Sequence, residues 1–300
     1  MSSGLHEGQY KDPKYNTRSK AKIVNVIVTY VPFEMTESCP ARSNIHIDDA
    51  EWYNENKLDT IKFNLECHKH YNAGVDYDIV IIDNGSPNDA TQGYLKYLEK
   101  EENIRVLHRE NIGFSFAGFK YAWELLKDEY DYFLFNEQDG VPSKDGWLLE
   151  ILQKFHSEKD IGAVGNNVEE FDLTKIFWEL QDLCPYIKKR DYIYNLDGFM
   201  TFTSASILRK VDNIGGLFVL PVEGDEYAER NELIFQQPIL ELGYKIVAMN
   251  DGNHVYYGGV SFLDENPDLA HIPKENITPM VLAHTKRFVL KDHFNWYKNE

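Results

Sequence analysis

Residues 132–142 read Tyr-Phe-Leu-Phe-Asn-Glu-Gln-Asp-Gly-Val-Pro, an apolar run that stops at two acids. The run from Tyr132 to Phe135 has the length and the aromatic content of a buried strand. Side chains that directly follow such a strand project into the crevice at the carboxyl end of a sheet, where α/β folds bind ligands. The carboxylates of Glu137 and Asp139 would there suit a divalent cation that binds a substrate diphosphate. A strand that simply ends in solvated acids is the alternative, and the triplet alone slightly favours it.

The composition indicates a folded globular protein and excludes one broad function class. Of 300 residues, 43% are hydrophobic and 14% are aromatic, which suits one large domain or two small ones. The formal net charge is −18, so the chain repels phosphate backbones and is not expected to bind nucleic acid. An anionic ligand can still bind locally through a metal ion or a helix N-terminus.

Cysteine spacing and hydropathy predict a cytoplasmic protein. The three cysteines, Cys39, Cys67 and Cys184, lie far apart and match neither a zinc site nor a disulfide framework. Residues 1–22 are polar and lack a signal core, and we interpret residues 1–20 as a flexible leader. No apolar run approaches the roughly 18 residues that a membrane span requires. No transmembrane segment is therefore predicted, and peripheral contact with the inner face of a membrane stays open.

Alternating strand and helix patterns predict an α/β fold with a mostly parallel sheet and helices on both faces. The predicted strands are residues 23–30, 79–82, 104–107, 132–136 and 161–164, and the predicted helices are residues 53–73, 90–101, 114–127 and 147–156. Beyond residue 166 the pattern predicts strands at 204–208, 244–249 and 255–257, and helices at 232–242 and 278–298. The chain thus divides into the leader, one α/β domain over residues 21–262 and a C-terminal helical extension over residues 263–300.

Six short motifs follow one another along this pattern. They are Ile27-Val28-Thr29-Tyr30, Ile81-Ile82-Asp83-Asn84-Gly85-Ser86, Asn111-Ile112-Gly113-Phe114, Glu137-Gln138-Asp139, Asn231-Glu232 and His254-Val255-Tyr256-Tyr257-Gly258-Gly259. In this order they resemble the GT-A fold glycosyltransferases, specifically the inverting family 2 group that includes rhamnosyltransferase-like enzymes. The resemblance covers about residues 23–262 and implies a Rossmann-like GT-A fold there.

The resemblance implies a nucleotide-binding role for the first three motifs. Thr29 would touch the nucleotide, and Asp83 would accept a hydrogen bond from a pyrimidine base, since a carboxylate can pair with a ring N–H. Asn111 and Gly113 would form the turn that leads into a helix under the nucleotide. The chain departs from the family at Phe119, where relatives often carry an asparagine. As an isolated motif, Asp83-Asn84-Gly85-Ser86 is more often an ordinary turn, and Asn111-Ile112-Gly113 is also typical of a helix-capping turn.

The acidic triplet would, by the same resemblance, bind Mg²⁺ or Mn²⁺ against the diphosphate of a nucleotide-sugar donor. Asp139 aligns with the last acid of the family motif and is the expected direct ligand. Glu137 stands where relatives carry aspartate and would act through water or the ribose. His254 would ligate the metal or touch the diphosphate, and a purely structural role for it is equally open.

The fifth motif implies the catalytic base. Relatives carry a Glu-Asp pair eleven residues before a Gly-Tyr, and Asn231-Glu232 occupies that place before Gly243. Glu232 is therefore the preferred base for the acceptor hydroxyl, and Asp225 is the competing candidate. Either acid could instead be a charge that the dipole of a helix N-terminus favours.

Together these expectations describe an inverting sugar transfer from a nucleotide-diphosphate sugar to an acceptor hydroxyl. The acceptor would be a glycan or a lipid-linked glycan, and residues 195–204 are expected to help form its pocket. A sugar-nucleotide pyrophosphorylase is disfavoured, because no Gly-rich phosphate loop follows the first strand. A non-catalytic carbohydrate- or protein-binding module on the same fold remains the main alternative. The donor, the acceptor, the linkage and the oligomeric state are left open.

Overall fold

The computed structural model describes residues 21–31, 57–172, 192–196, 200–216, 235–249 and 278–282. Within these ranges, strands and helices alternate along most of the chain. The strands are β1 (Ile23–Thr29), β2 (Asp78–Asp83), β3 (Ile104–His108), β4 (Tyr132–Glu137), β5 (Gly140–Pro142), β6 (Ile161–Gly165), β7 (Val168–Asp172), β8 (Tyr192–Leu196), β9 (Met200–Ser204), β10 (Lys245–Ala248) and β11 (Met280–Leu282). The helices are α1 (Lys57–His70), α2 (Asp89–Leu98), α3 (Phe114–Leu126), α4 (Trp147–His156), α5 (Ala205–Asn213) and α6 (Gln237–Glu241).

A seven-stranded sheet forms the centre of the fold, in the order β10-β6-β9-β4-β1-β2-β3. Strand β1 lies between β2 and β4 and is parallel to both, and β2 and β3 are also parallel. Strand β9 runs antiparallel to its neighbours β4 and β6. The predicted α/β fold with a mostly parallel sheet is confirmed, with β9 as its antiparallel member.

Helices cover both faces of the sheet. Strand β1 contributes side chains to both faces, because successive residues of a strand point in opposite directions. Val26 and Val28 of β1 pack into a core that includes α3. Ile27, between them, packs into a second core with side chains from α1 and α2. The burial of both faces explains why β1 is buried at every position and mostly apolar, rather than apolar only at alternate positions.

Two secondary-structure predictions beyond residue 166 are wrong. Residues 204–208 were expected to form a strand, but β9 ends at Ser204 and α5 begins at Ala205. The Ser204 hydroxyl caps this helix by accepting a hydrogen bond from the Ile207 amide. The expected tail helix over 278–298 is wrong at Met280–Leu282, which pair antiparallel with β5. The rest of that tail, and the predicted strand at 255–257, lie outside the described residues.

Candidate active site

Three of the predicted site residues lie at one edge of the sheet. Thr29, at the end of β1, pairs with Asp83 at the end of β2. On its other side β1 pairs with β4, so that Val28 lies opposite Glu137. Parallel strands end at the same edge, which is where α/β folds bind their ligands. The structure therefore brings Thr29, Asp83 and Glu137 together.

The carboxylate of Asp83 is occupied by neighbouring protein groups. Its Oδ1 accepts a 2.9 Å hydrogen bond from the Ser86 amide, and its Oδ2 lies 3.0 Å from both Gln92 Nε2 and His108 Nδ1. Its side chain is only 1% exposed. These contacts hold the turn after β2, in which Gly85 has a φ of +71°. A direct contact between Asp83 and a nucleotide base stays a prediction.

The acidic triplet is a turn that neighbouring elements hold in place. Thr29 Oγ1 donates a 2.5 Å hydrogen bond to Gln138 Oε1. Asn64 of α1 donates to the carbonyls of Gln138 and Gly140, and Asn136 of β4 donates to the Gly140 carbonyl. All four of these side chains are buried. The turn therefore has a defined shape, with Glu137 half-buried at the strand end and Asp139 7% exposed.

Arg109 organises the turn that leads into α3. Its guanidinium donates 2.6 Å hydrogen bonds to Asn84 Oδ1 and to the Ile112 carbonyl. Asn84 in turn donates to the Phe114 carbonyl. Gly113 is the N-cap of α3 with a left-handed φ of 77°, and no side chain caps the helix. Burial lowers the pKa of Arg109 from its ordinary value, yet an arginine remains a cation at neutral pH.

Phe119 explains the departure from the family pattern at this helix. Its side chain is 1% exposed, and its ring packs on Phe116 and Phe135. This position is therefore part of the hydrophobic core, and its side chain cannot form a hydrogen bond with a nucleotide-sugar donor. Asn111, by contrast, is exposed at the start of the turn.

The described residues can supply two carboxylates for a divalent cation. No group of three or more His, Cys, Asp or Glu side chains in the described ranges is placed to hold a metal. Magnesium-type ions, however, are commonly held by one or two carboxylates together with substrate phosphates. Glu137 and Asp139 fit that donor set. His254, the third predicted ligand, lies outside the described residues.

The two candidates for the catalytic base, Glu232 and Asp225, also lie outside the described residues. The chain is described again from Phe235, whose ring packs 5.6 Å from that of Phe116 and 5.8 Å from that of Phe135, between centroids. Next to it, Gln236 Nε2 donates to Thr201 Oγ1 of β9. Phe235 and Gln236 are thus anchored beside β4 and β9.

Sequence reasoning missed several residues that organise this site, among them Asn64, Arg109 and Phe235. A signal existed for Asn64, because it lies on the same helix face as the apolar residues Ile61 and Leu65 and should therefore be buried with them. A buried amide needs hydrogen-bond partners, so such a residue indicates a specific polar contact. Arg109 and Phe235 carried no comparable signal.

None of the helices in the described ranges is long and apolar enough to cross a membrane.

Three solved structures that are similar to this chain are distant from it in sequence. A mannosyltransferase from Pyrobaculum calidifontis, PcManGT, solved with GDP-Man and Mn²⁺, matches at 12% identity and a TM-score of 0.47, over 75% of this chain and 54% of its own. The galactosyltransferase LgtC matches at 11% identity and a TM-score of 0.41, over 87% and 86%. TarS from S. aureus, residues 1–349 with UDP-GlcNAc, matches at 12% identity and a TM-score of 0.41, over 72% and 54%. The chain thus spans about half the length of PcManGT and of the TarS fragment.

Among curated proteins, no match was found. The family model described as "Glycosyl transferase family 2" matches residues 52–215, which is more than half of the chain. The matched range contains β2, β4, the acidic triplet and the turn before α3. The chain therefore belongs to glycosyl transferase family 2.

Proposed function

We propose that the protein transfers a sugar from a nucleotide-diphosphate sugar to an acceptor hydroxyl, with inversion at the anomeric carbon. The observation that carries this proposal is the edge formed by β1, β2 and β4. It places Thr29, Asp83 and Glu137 side by side and presents the buried turn at Asp139. A nucleotide sugar lying across this edge would have its diphosphate next to the two carboxylates.

Asp139 and Glu137 are the residues that would hold the divalent cation, Mn²⁺ or Mg²⁺, with Asp139 as the direct ligand. When bound, such a cation neutralises charge on the departing diphosphate. His254 is retained as a third contact to the cation or the diphosphate. Helix α3 follows Asn111 and Gly113 and has no side-chain cap at its N-terminus. The dipole of a helix N-terminus favours the same anionic part of the donor.

Glu232 is the proposed general base. It would take the proton of the acceptor hydroxyl while that oxygen bonds to the anomeric carbon and the bond to the diphosphate breaks. Phe235 supports this choice. It lies three residues from Glu232, a span of at most about 11 Å, and it packs on Phe135, which shares a strand face with Glu137. Asp225 lies ten residues from Phe235, and so much chain can reach about 35 Å, which leaves Asp225 far less restrained.

The test is nucleotide binding and turnover with a matched pair of variants. We expect UDP, GDP or dTDP to raise the melting temperature of the wild type more strongly with Mn²⁺ than without it. Asp139→Ala should lose the metal-dependent part of the shift. Asp128→Ala should keep it, because the Asp128 side chain is 82% exposed in an ion pair with Arg209. Equal stabilisation of the wild type and Asp139→Ala would contradict the metal site.

The alternative is a binding module without catalysis. The replacement of the family residues at Glu137 and Asn231 keeps it open, and the retained acids at Asp139 and Glu232 argue against it. Such a module would bind a nucleotide sugar and neither hydrolyse it nor transfer the sugar. Incubation with UDP-, GDP- and dTDP-sugars and Mn²⁺, followed by chromatographic detection of free nucleotide diphosphate, separates the two. Release that disappears in Glu232→Gln supports the enzyme.

A further inference from the structure

We propose that Asn64 is the positioning residue that holds Asp139 in the geometry for metal binding. The inference rests on the proposed function, because it assigns a purpose to a contact at the same site. Asn64 lies on α1, and the residues it contacts lie 74 and 76 positions further along the chain. Asn64 is not an acid, and it lies in none of the six motifs that carry the family resemblance.

The side-chain amide of Asn64 contacts the backbone on both sides of Asp139. Its Nδ2 lies 3.0 Å from the carbonyl oxygen of Gln138 and 2.7 Å from that of Gly140, the residues on either side of Asp139. Carbonyl oxygens only accept hydrogen bonds, so the NH₂ end of the amide must face them. One side chain thus fixes the peptide group that precedes Asp139 and the peptide group that follows Gly140, so the backbone is held on both sides of Asp139.

The burial of Asn64 holds these two hydrogen bonds in place. Asn64 is 0% exposed, and its neighbours Ile61 and Leu65 are buried in the core between α1 and the sheet. The helix can therefore not shift away from the turn without opening that core. Asn136, also 0% exposed, adds a 2.8 Å hydrogen bond to the Gly140 carbonyl.

The rigidity of the turn should affect metal affinity separately from its effect on stability. A carboxylate that ligates a cation must sit within a narrow range of distances and angles, and groups that orient such ligands commonly change metal affinity by about 10- to 100-fold. A residue that merely fills the core changes stability alone. The proposal therefore predicts a loss of metal affinity beyond what destabilisation explains.

Asn25 offers a matched control. It is also 0% exposed, lies on β1 of the central sheet and uses its Nδ2 in a 3.1 Å contact with His68 Nε2, away from the turn. Asn64→Leu and Asn25→Leu thus each replace a buried amide with an apolar side chain of similar size. Only the first removes hydrogen bonds from the acidic turn.

The first measurement needs no ligand. Hydrogen–deuterium exchange of the metal-free proteins follows the peptide that spans residues 136–142. We expect faster exchange there in Asn64→Leu than in the wild type, and unchanged exchange in Asn25→Leu. Equal exchange of this peptide in all three proteins would overturn the proposal, whether or not the protein proves to be a glycosyltransferase.

The second measurement is calorimetric titration of Mn²⁺ into protein saturated with the nucleoside diphosphate that binds the wild type. We expect the dissociation constant of Mn²⁺ to rise about tenfold or more in Asn64→Leu, and to stay at the wild-type value in Asn25→Leu. The same constant in both variants would overturn the proposal. If Asn64→Leu does not fold, Asn64→Ala, which also removes both hydrogen bonds to the turn, takes its place with the same criteria. A wild type that binds no nucleotide would refute the proposed function, and the exchange experiment would still decide the role of Asn64.

Discussion

Thr29 and Gln138 are joined by a 2.5 Å hydrogen bond from the hydroxyl of one to the side-chain carbonyl of the other. This contact connects the last residue of β1 to the middle of the acidic turn, 109 positions away in sequence. Thr29 is 1% exposed and Gln138 is 6% exposed. The strand that is expected to touch the nucleotide therefore also supports the turn that is expected to hold the metal.

Loss of this hydroxyl should affect both stability and donor binding. Thr29→Val keeps the shape of the side chain but leaves Gln138 Oε1 without this donor, which should cost about 1–3 kcal/mol of unfolding free energy. We also expect a higher KM for the donor. Urea unfolding and initial-rate kinetics measure the two effects. Thr29→Ser keeps a hydroxyl and should retain most of both, so a Ser variant as poor as Val would speak against the hydrogen bond.

The two acids of the triplet should contribute unequally. Removing the direct ligand by Asp139→Asn should lower kcat/KM by about two orders of magnitude or more, because a metal contributes several kcal/mol of charge stabilisation. Glu137→Gln should have a smaller effect, since Glu137 is half-buried at the strand end and is expected to act indirectly. Steady-state kinetics across a range of Mn²⁺ concentrations compare them. A larger effect at Glu137 would reverse the assignment of the ligand.

The general base can be identified by two conservative substitutions. Glu232→Gln should lower kcat by about 10²- to 10⁴-fold, which is the usual contribution of general acid–base catalysis. Asp225→Asn should leave kcat nearly unchanged. Single-turnover rates at saturating donor, measured over a range of pH, check both. The opposite ranking would assign the proton transfer to Asp225.

The contact between α3 and β1 has no room for an additional methyl group. A Cβ on Gly118 would lie 2.8 Å and 3.1 Å from the two methyl carbons of Val28. Gly118→Ala should therefore lower the unfolding free energy by about 1–3 kcal/mol. Gly93 on α2 is the control, because its Cβ would meet nothing within 4 Å. Gly93→Ala should stabilise the protein by about 0.5–1 kcal/mol, and chemical denaturation of the pair should show opposite signs.

His68 should make stability fall in acid. It is buried between Asn25 and the Tyr77 hydroxyl, and burial lowers the pKa of His68 from 6.5 to about 3. Between these values the unfolded chain binds a proton that the folded protein does not. Stability is thus unaffected above pH 6.5 and decreases by about 1.4 kcal/mol for each pH unit below it.

The measurement is the pH dependence of urea unfolding between pH 7 and pH 4. His68→Gln should flatten this dependence relative to the wild type, since glutamine does not titrate. The exposed neighbour His70 provides the control, and His70→Gln should leave the wild-type slope intact. The same slope in His68→Gln and the wild type would show that His68 does not stay neutral in the folded protein.

Local sequence patterns were sufficient to predict the strands whose ends form the candidate site. The apolar run before Glu137 predicted β4, and the β-branched run before Thr29 predicted β1, because strand formation depends on side-chain type over a few residues. Helix α2 begins after Asn88, whose side chain accepts hydrogen bonds from two amides of the first turn. The prediction of a strand from Ser204 was wrong, because the local sequence does not distinguish a helix N-cap from a strand residue when the partner strand is unknown.

The sequence by itself determined the order of strands and helices from β1 to β6, apart from the short β5, and the presence of acids, Glu137 and Asp139, at the end of β4. Only the tertiary structure decided what surrounds them. Asn64 meets the Gln138 carbonyl from 74 positions away, and Phe235 reaches Phe135 from a part of the chain where the local pattern was weakest. Such contacts depend on how helices pack on the sheet, and packing is set by the whole core rather than by any single motif. The motifs therefore identify the candidate site residues, and buried contacts between distant residues determine their surroundings.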